Sequence, residues 1–164
     1  MDLSKLTSLA SDLGSLLVSK KFFFTSAESC TGGWLGQSVT SVQGSSFWFS
    51  YGFITYSNTS KINLLKVSKN TLEKFGAVSE EVVEEMVVGA LKKSGADIGV
   101  AISGIAGPGG GSRERPVGTV CFAWMMKGGE PESTTEFFYG DRNQVRKSSV
   151  ERALLGTINI IEKI

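Results

Sequence analysis

Leucines at positions 3, 6, 9, 13, 16 and 17 recur at helical spacing with Ser, Lys and Asp opposite, so an amphipathic helix is expected there, ended by Lys20-Lys21. Phe22 to Ser26 reads as a short buried strand, and "WLGQSVTSV" as a helix that begins near Thr31 and ends before Gln43-Gly44. Aromatic and β-branched residues place a second strand at about Tyr51 to Tyr56, followed by a short helical turn in "NTSKINLLKV". Ser68 and Ser79 are expected N-caps of two further helices. The second carries Glu80 and Glu81 in its first turn, Lys92 and Lys93 in its last, and Gly95 just past its end, an arrangement that complements the helix dipole. "DIGVAIS" (97–103) is apolar throughout, as in strands covered on both faces. "GTVCFAWMM" and "STTEFFYG" predict an antiparallel pair around "KGGEPE", and Asp141 caps a last helix to about Glu162. Helices on both faces of a mixed sheet satisfy this order, so the expected fold is α/β, a three-layer α/β/α sandwich.

A length of 164 residues suits one self-sufficient domain, 1–164. The net charge of +1 gives no footprint for nucleic acid or an anionic membrane. No apolar run approaches the ~20 residues of a bilayer span, and Met1-Asp2-Leu3-Ser4 lacks the basic start of a signal peptide. A cytoplasmic protein is expected, with Cys30 and Cys121 as free thiols. Composition restricts the chemistry most through histidine, of which there is none. Ser-His-Asp and Cys-His catalysis and the usual zinc sites are thereby removed, and any base is Lys, Tyr, Asp, Glu or water; no cofactor is expected.

Two unusual loops directly follow predicted strands: "SAESCTGG", and "GIAGPGGGSRERP" with five glycines and two prolines in thirteen positions. In open α/β sheets ligands bind where strand carboxyl ends meet such loops. Glycine amides and a helix starting near Thr31 would together make a phosphate or oxyanion site, although neither common nucleotide fingerprint is met. Glycines also simply make turns, a lone serine is commonly a cap, and Cys30 reads as a small buried thiol. Tyr56 and Lys61 have the bland reading of a core aromatic and a solvated lysine. A desolvated lysine, however, can serve as general base for a serine hydroxyl, the route left open without histidine. Arg113, Arg115, Arg142 and Arg146 are candidates for clamping a phosphate.

The blocks "AESCTGG", "GSSFWFSYGFITYSNTSK", "GAVSEEVVEEM", "SGIAGPGGGSRERPVGTV" and "FYGDRNQVR" resemble the CinA C-terminal domain family, the nicotinamide mononucleotide deamidases, over roughly residues 5–160. The resemblance implies hydrolysis of the carboxamide of nicotinamide mononucleotide to nicotinic acid mononucleotide and ammonia, an α/β/α fold, and homo-oligomers (dimer or higher) without a required metal. It places active-site hydroxyls at Ser29 and Ser46, the tyrosine and lysine at Tyr56 and Lys61, Ser103 at the pocket floor, and Arg142 on the substrate. Arg115 stands where many relatives have lysine, with the charge kept. The N-terminal CinA domain has no counterpart, which implies the stand-alone form.

Both lines join in one expected mechanism. Ser29 attacks the carboxamide carbon, Lys61 helped by Tyr56 takes its proton, and amides at Cys30, Thr31, Gly32 and Gly33 or in the 103–111 loop hold the oxyanion. Arg142 and glycine amides, among them Gly104 and Gly107, bind the 5′-phosphate, and Ser46 orients substrate or water. Whether Ser29, Ser46 or water attacks stays open at this level. The alternatives are a nucleotide-sensing module without catalysis, and phosphoryl transfer, for which Glu28 is the only metal-binding carboxylate in the turn.

Overall fold

The computed structural model describes residues 3–164; the reading of the N-terminus as lacking a leader rests partly on Met1 and Asp2, which lie outside them. Helix α1 (Ser4–Lys20) ends on left-handed Lys21. It leads to β1 (Phe24–Glu28), α2 (Trp34–Thr40), a 3₁₀ turn at Ser45–Phe47 and β2 (Phe49–Ile54). Helices α3 (Asn58–Leu65), α4 (Lys69–Phe75) and α5 (Glu80–Ser94) precede β3 (Ile98–Gly104). The antiparallel β4 (Thr119–Met126) and β5 (Glu132–Phe137) and the long α6 (Arg142–Glu162) complete the chain.

The sheet has the order β2-β1-β3-β4-β5, with β1 parallel to β2 and β3, and β4 antiparallel to β3 and β5. One apolar cluster packs α1, α2 and α6 on one face, with Leu13, Leu35, Phe122 and Leu154 buried. A second packs α3, α4 and α5 on the other face, with Leu65, Leu72, Val83 and Met86 buried. This is the expected α/β/α sandwich with a mixed sheet. The apolar β3 runs through its middle, buried on both sides, and is paired in register with β1 from Phe24↔Ile98 to Glu28↔Ile102.

Three elements start two or more residues away from the sequence expectation. The first strand starts two residues late, because the Phe22 amide donates to the Leu17 carbonyl and the Phe23 amide to Asp97, which makes both part of the connection. β2 starts two residues early, with an irregular register between Phe24 and Thr25. Helix α2 begins at Trp34 instead of Thr31, since two successive turns, Gly32 N–H to Ser29 O and Trp34 N–H to Thr31 O, precede it. Ser79 caps α5 as expected. At α4 the Ser68 side chain makes no cap bond; Glu85 of α5 instead fastens that end of the helix, accepting from the Ser68 amide at 2.6 Å and from the Thr71 hydroxyl.

The chain leaves β1 through α2 to reach β2 on one side, then crosses by α3–α5 to β3 on the other side of β1. The carboxyl end of β1 is therefore a switch point, where an open α/β sheet leaves a crevice. Both unusual loops leave the sheet at that end.

Candidate active site

Ser29 directly follows β1, and its amide still pairs with the Ile102 carbonyl at 3.0 Å, so the sheet fixes its backbone. Lys61 comes from the first turn of α3, which Ser57 caps by accepting from the Ser60 amide. The far end of α3 is seated against α5 at Gly89, where a Cβ would stand 2.0 Å from the Leu65 carbonyl oxygen; only glycine permits that approach. Lys61 is 1% exposed. Its Nζ lies 3.0 Å from Ser29 Oγ, 2.8 Å from the Thr55 carbonyl and 3.2 Å from the Tyr56 carbonyl.

Three acceptors match the three N–H bonds of an ammonium. In the neutral amine two N–H bonds stay on the carbonyls and the lone pair is directed at the Ser29 hydroxyl, which is what a base for that hydroxyl needs. No carboxylate forms an ion pair with Lys61 among the described residues. Burial accordingly pulls its pKa from 10.5 down to about 8. Burial also pushes the Cys30 thiol up to about 12, so that neighbour is neutral and inert.

The surrounding cleft holds about 200 Å³ and is lined by Ser29, Cys30, Tyr56, Lys61, Ser103, Gly104 and Arg142 from the expected set, and by Asn58, Ala77 and Val78, which sequence reasoning missed. Nothing in the residue types of Ala77 and Val78 signals a site; they arrive with the turn between α4 and α5. Ser103 donates to the Ala77 carbonyl, and Arg142 donates to the Gly107 carbonyl at 2.8 Å and to the Tyr56 phenol at 3.2 Å. Tyr56 therefore meets Lys61 through its peptide oxygen, and its ring, 62% exposed, points to Arg142 instead. A larger cavity of about 670 Å³ lies between α3 and α5, lined by Leu64, Val88, Lys92 and Pro131 among others, away from the Ser29–Lys61 pair.

Two of the expected features lie apart from the cleft within a single chain. Ser46 is exposed in the 3₁₀ turn before β2, at the opposite end of that strand from Tyr56, and does not line the cleft. The start of α2 is not an open anion site either. Oε2 of Glu28 accepts from the Thr31 hydroxyl at 2.6 Å, the Gly33 amide at 3.0 Å and the Leu35 amide at 3.1 Å, and Oε1 accepts from the Gly36 amide at 2.9 Å. Thr31, Gly32 and Gly33 thus build the turn beneath the cleft without lining it. Glu28, 2% exposed with both oxygens engaged, is a structural anion and not the free carboxylate that metal-assisted phosphoryl transfer would need.

Residues 6–161 match the CinA C-terminal domain family. The chain belongs to this family. It is 50% identical over 151 residues to the nicotinamide-nucleotide amidohydrolase PncC of Escherichia coli, covering 92% of each chain, and 50% identical over 146 residues to that of Enterobacter agglomerans, covering 89% of each. A CinA superfamily protein of Klebsiella pneumoniae superposes with a TM-score of 0.93 at 36% identity, over 97% of this chain and 99% of that one. The competence/damage inducible protein CihA of Agrobacterium tumefaciens gives 0.89 at 38% identity, over 94% and 96%.

Proposed function

We propose that this CinA-family chain acts as one domain, 1–164, that hydrolyses the carboxamide of nicotinamide mononucleotide to nicotinic acid mononucleotide and ammonia. The observation that carries the mechanism is the 3.0 Å contact between a buried lysine amine and a serine hydroxyl in a chain without histidine; the substrate follows from the relatives at 50% identity named for that amidohydrolase. Ser29 Oγ bonds to the carboxamide carbon as its proton passes to Lys61 Nζ. The C–N bond breaks as Lys61 returns that proton to the departing nitrogen, which leaves as ammonia. Water then attacks the Ser29 ester, giving its proton to Lys61, and the acid leaves as Ser29 Oγ recovers a proton. Ser103 and Gly104 floor the ring site, and Arg142, whose guanidinium has donors beyond its two internal bonds, meets the 5′-phosphate beside Gly107. Purified protein with nicotinamide mononucleotide, and no added metal, is expected to release ammonia. Binding without release would favour the sensing module instead.

No helix among the described residues is long and apolar enough to cross a membrane. We place the enzyme in the cytoplasm, where its two buried free cysteines suit a reducing medium.

The functional unit is a homo-oligomer, joined through the β2 edge. From Ser29 to Ser60 the chain has no charged residue and no proline, so β2 lacks the usual protection of an edge strand. Phe47 is 79% exposed, and with Tyr51, Ile54 and Tyr56 it presents roughly 400–500 Å² of largely apolar surface. That is in the range of the largest apolar patch on a typical monomer, about 300–600 Å² and often functional, and is about half of the ~800 Å² that one partner of a stable dimer contributes; the unpaired edge backbone and its flanks supply the remainder. Antiparallel pairing of β2 with its copy, centred between Tyr51 and Phe53, sets the partner's Ser46 alongside residues 56–60 and returns Ser46 to the site. A cleft of about 200 Å³ falls short of the ~300–1,000 Å³ typical of small-molecule sites, and the partner supplies its missing wall. Light scattering is expected to give at least twice the mass of one chain, and Phe47→Glu with Ile54→Lys to give a folded single chain with impaired ammonia release. A wild-type protein with the mass of one chain would overturn the assignment.

A further inference from the structure

The turn that carries Ser29 is held by two charged side chains that touch neither Ser29 Oγ nor Lys61. Arg146, in the second turn of α6, donates from Nε to the Cys30 carbonyl and from Nη2 to the Thr31 carbonyl, each at 3.0 Å. Its guanidinium is itself placed against the Trp34 ring, 5.3 Å from the centroid. Glu28 pulls from the other side, accepting from the Thr31 hydroxyl and the amides of Gly33, Leu35 and Gly36.

In a trans peptide the C=O and the following N–H point in opposite directions. Arg146, by holding the Cys30 carbonyl, therefore aims the Thr31 N–H away from itself. The Ser29 carbonyl accepts from the Gly32 amide, closing a turn with Cys30 and Thr31 at its centre, and that directs the Cys30 N–H outward likewise. Between Cys30 and Gly36, the amides of Gly32 and Trp34 serve the two turns and those of Gly33, Leu35 and Gly36 serve Glu28. Cys30 and Thr31 alone among these first donors have no backbone or side-chain oxygen to serve.

We propose that Glu28 and Arg146 are positioning residues that fix the turn after Ser29 so that the Cys30 N–H, the unengaged donor whose residue borders the cleft, receives the developing oxyanion on a carbonyl attacked by Ser29. The inference rests on the amidase reading and deepens it. It also separates two arginines four positions apart: Arg142 faces the substrate, whereas Arg146 acts on the nucleophile's turn.

The decisive variants are Arg146→Ala, Arg146→Lys and Glu28→Gln, assayed on nicotinamide mononucleotide and on p-nitrophenyl acetate. The ester transfers its acetyl group to Ser29 Oγ with departure of p-nitrophenolate, and needs an oxyanion site without any nucleotide recognition. Arg146→Ala is expected to lower kcat about 10²-fold, the size of losing one oxyanion donor, with KM for the nucleotide within about twofold. The pH-rate midpoint stays that of wild type, because Lys61 keeps its three partners. Added guanidinium at millimolar concentration restores much of the rate, and Arg146→Lys restores part of it. Glu28→Gln lowers ester turnover likewise; should it fail to fold, the arginine series decides alone. Full kcat in Arg146→Ala, or a loss expressed in KM and not in kcat, would overturn the assignment, the latter marking Arg146 as a phosphate ligand. A wild-type protein that cleaves the ester but not the nucleotide overturns the proposed substrate, and the same variants then judge the positioning role on the ester. One inert to both overturns the two readings together.

Discussion

Ser29→Ala is expected to lower ammonia release by at least about a thousandfold, because among the described residues Ser29 carries the one hydroxyl hydrogen-bonded to Lys61. The hydroxyl lies at the carboxyl end of β1 with its backbone pinned to Ile102, and its Oγ is 3.0 Å from the amine that would take its proton. The stability cost should stay near 1 kcal/mol, that of one hydrogen bond, since Lys61 keeps the Thr55 and Tyr56 carbonyls. A thermal melt beside a single-turnover assay separates the two effects. Near-normal turnover would mean that water attacks the carboxamide directly, with Ser29 only a spectator.

Lys61→Met is expected to lower kcat by about 10²–10⁴, the usual contribution of a general base, and to change how both rate and stability respond to pH. In the wild type the lone pair becomes available as the amine loses its proton, so the rate should rise with pH through a midpoint near 8. The folded chain releases this proton at about 8, whereas the unfolded chain keeps it to about 10.5. Between those values the unfolded state binds more protons, and stability therefore increases with pH across that window. Cys30, whose thiol keeps its proton to about 12 in the folded chain, acts in the opposite sense above pH 9 in both proteins, so urea unfolding at pH 7.5 and pH 10 should show the lysine's share as a gain of the wild type relative to Lys61→Met. Identical pH slopes in the two proteins would refute the depressed lysine.

The fold was legible where side-chain pattern and local backbone chemistry agree. The unbroken apolar run of β3, and the Ser79 cap, acidic first turn and basic last turn of α5, need no tertiary information. Ser29 and Lys61 were legible as a pair through the family blocks that contain them; the absence of histidine and their places beside strand ends left that chemistry open without selecting it. The positions of Glu28 and Arg146 were not. A carboxylate that reaches forward five to eight residues to seal a helix lies outside the local capping patterns. The arginine touches peptides 115 and 116 positions away in sequence. Glycine-rich turns look alike whether their amides are free or engaged, so "CTGG" suggested an open anion site that Glu28 already fills. Ser46 shows the same limit in reverse: its motif is local, but within one chain the fold leaves it outside the cleft.

Ser29 leads into α2 on one face of the sheet, whereas Lys61 rides on α3 on the opposite face. The two atoms of the proposed Ser29–Lys61 pair thus belong to different slabs of the molecule and meet over the rim of β1. Loosening either slab by an ångström or two would silence the enzyme well before its helices melt. Turnover is in that sense a sensitive gauge of tertiary docking, and destabilising substitutions far from the cleft should be felt first as lost rate.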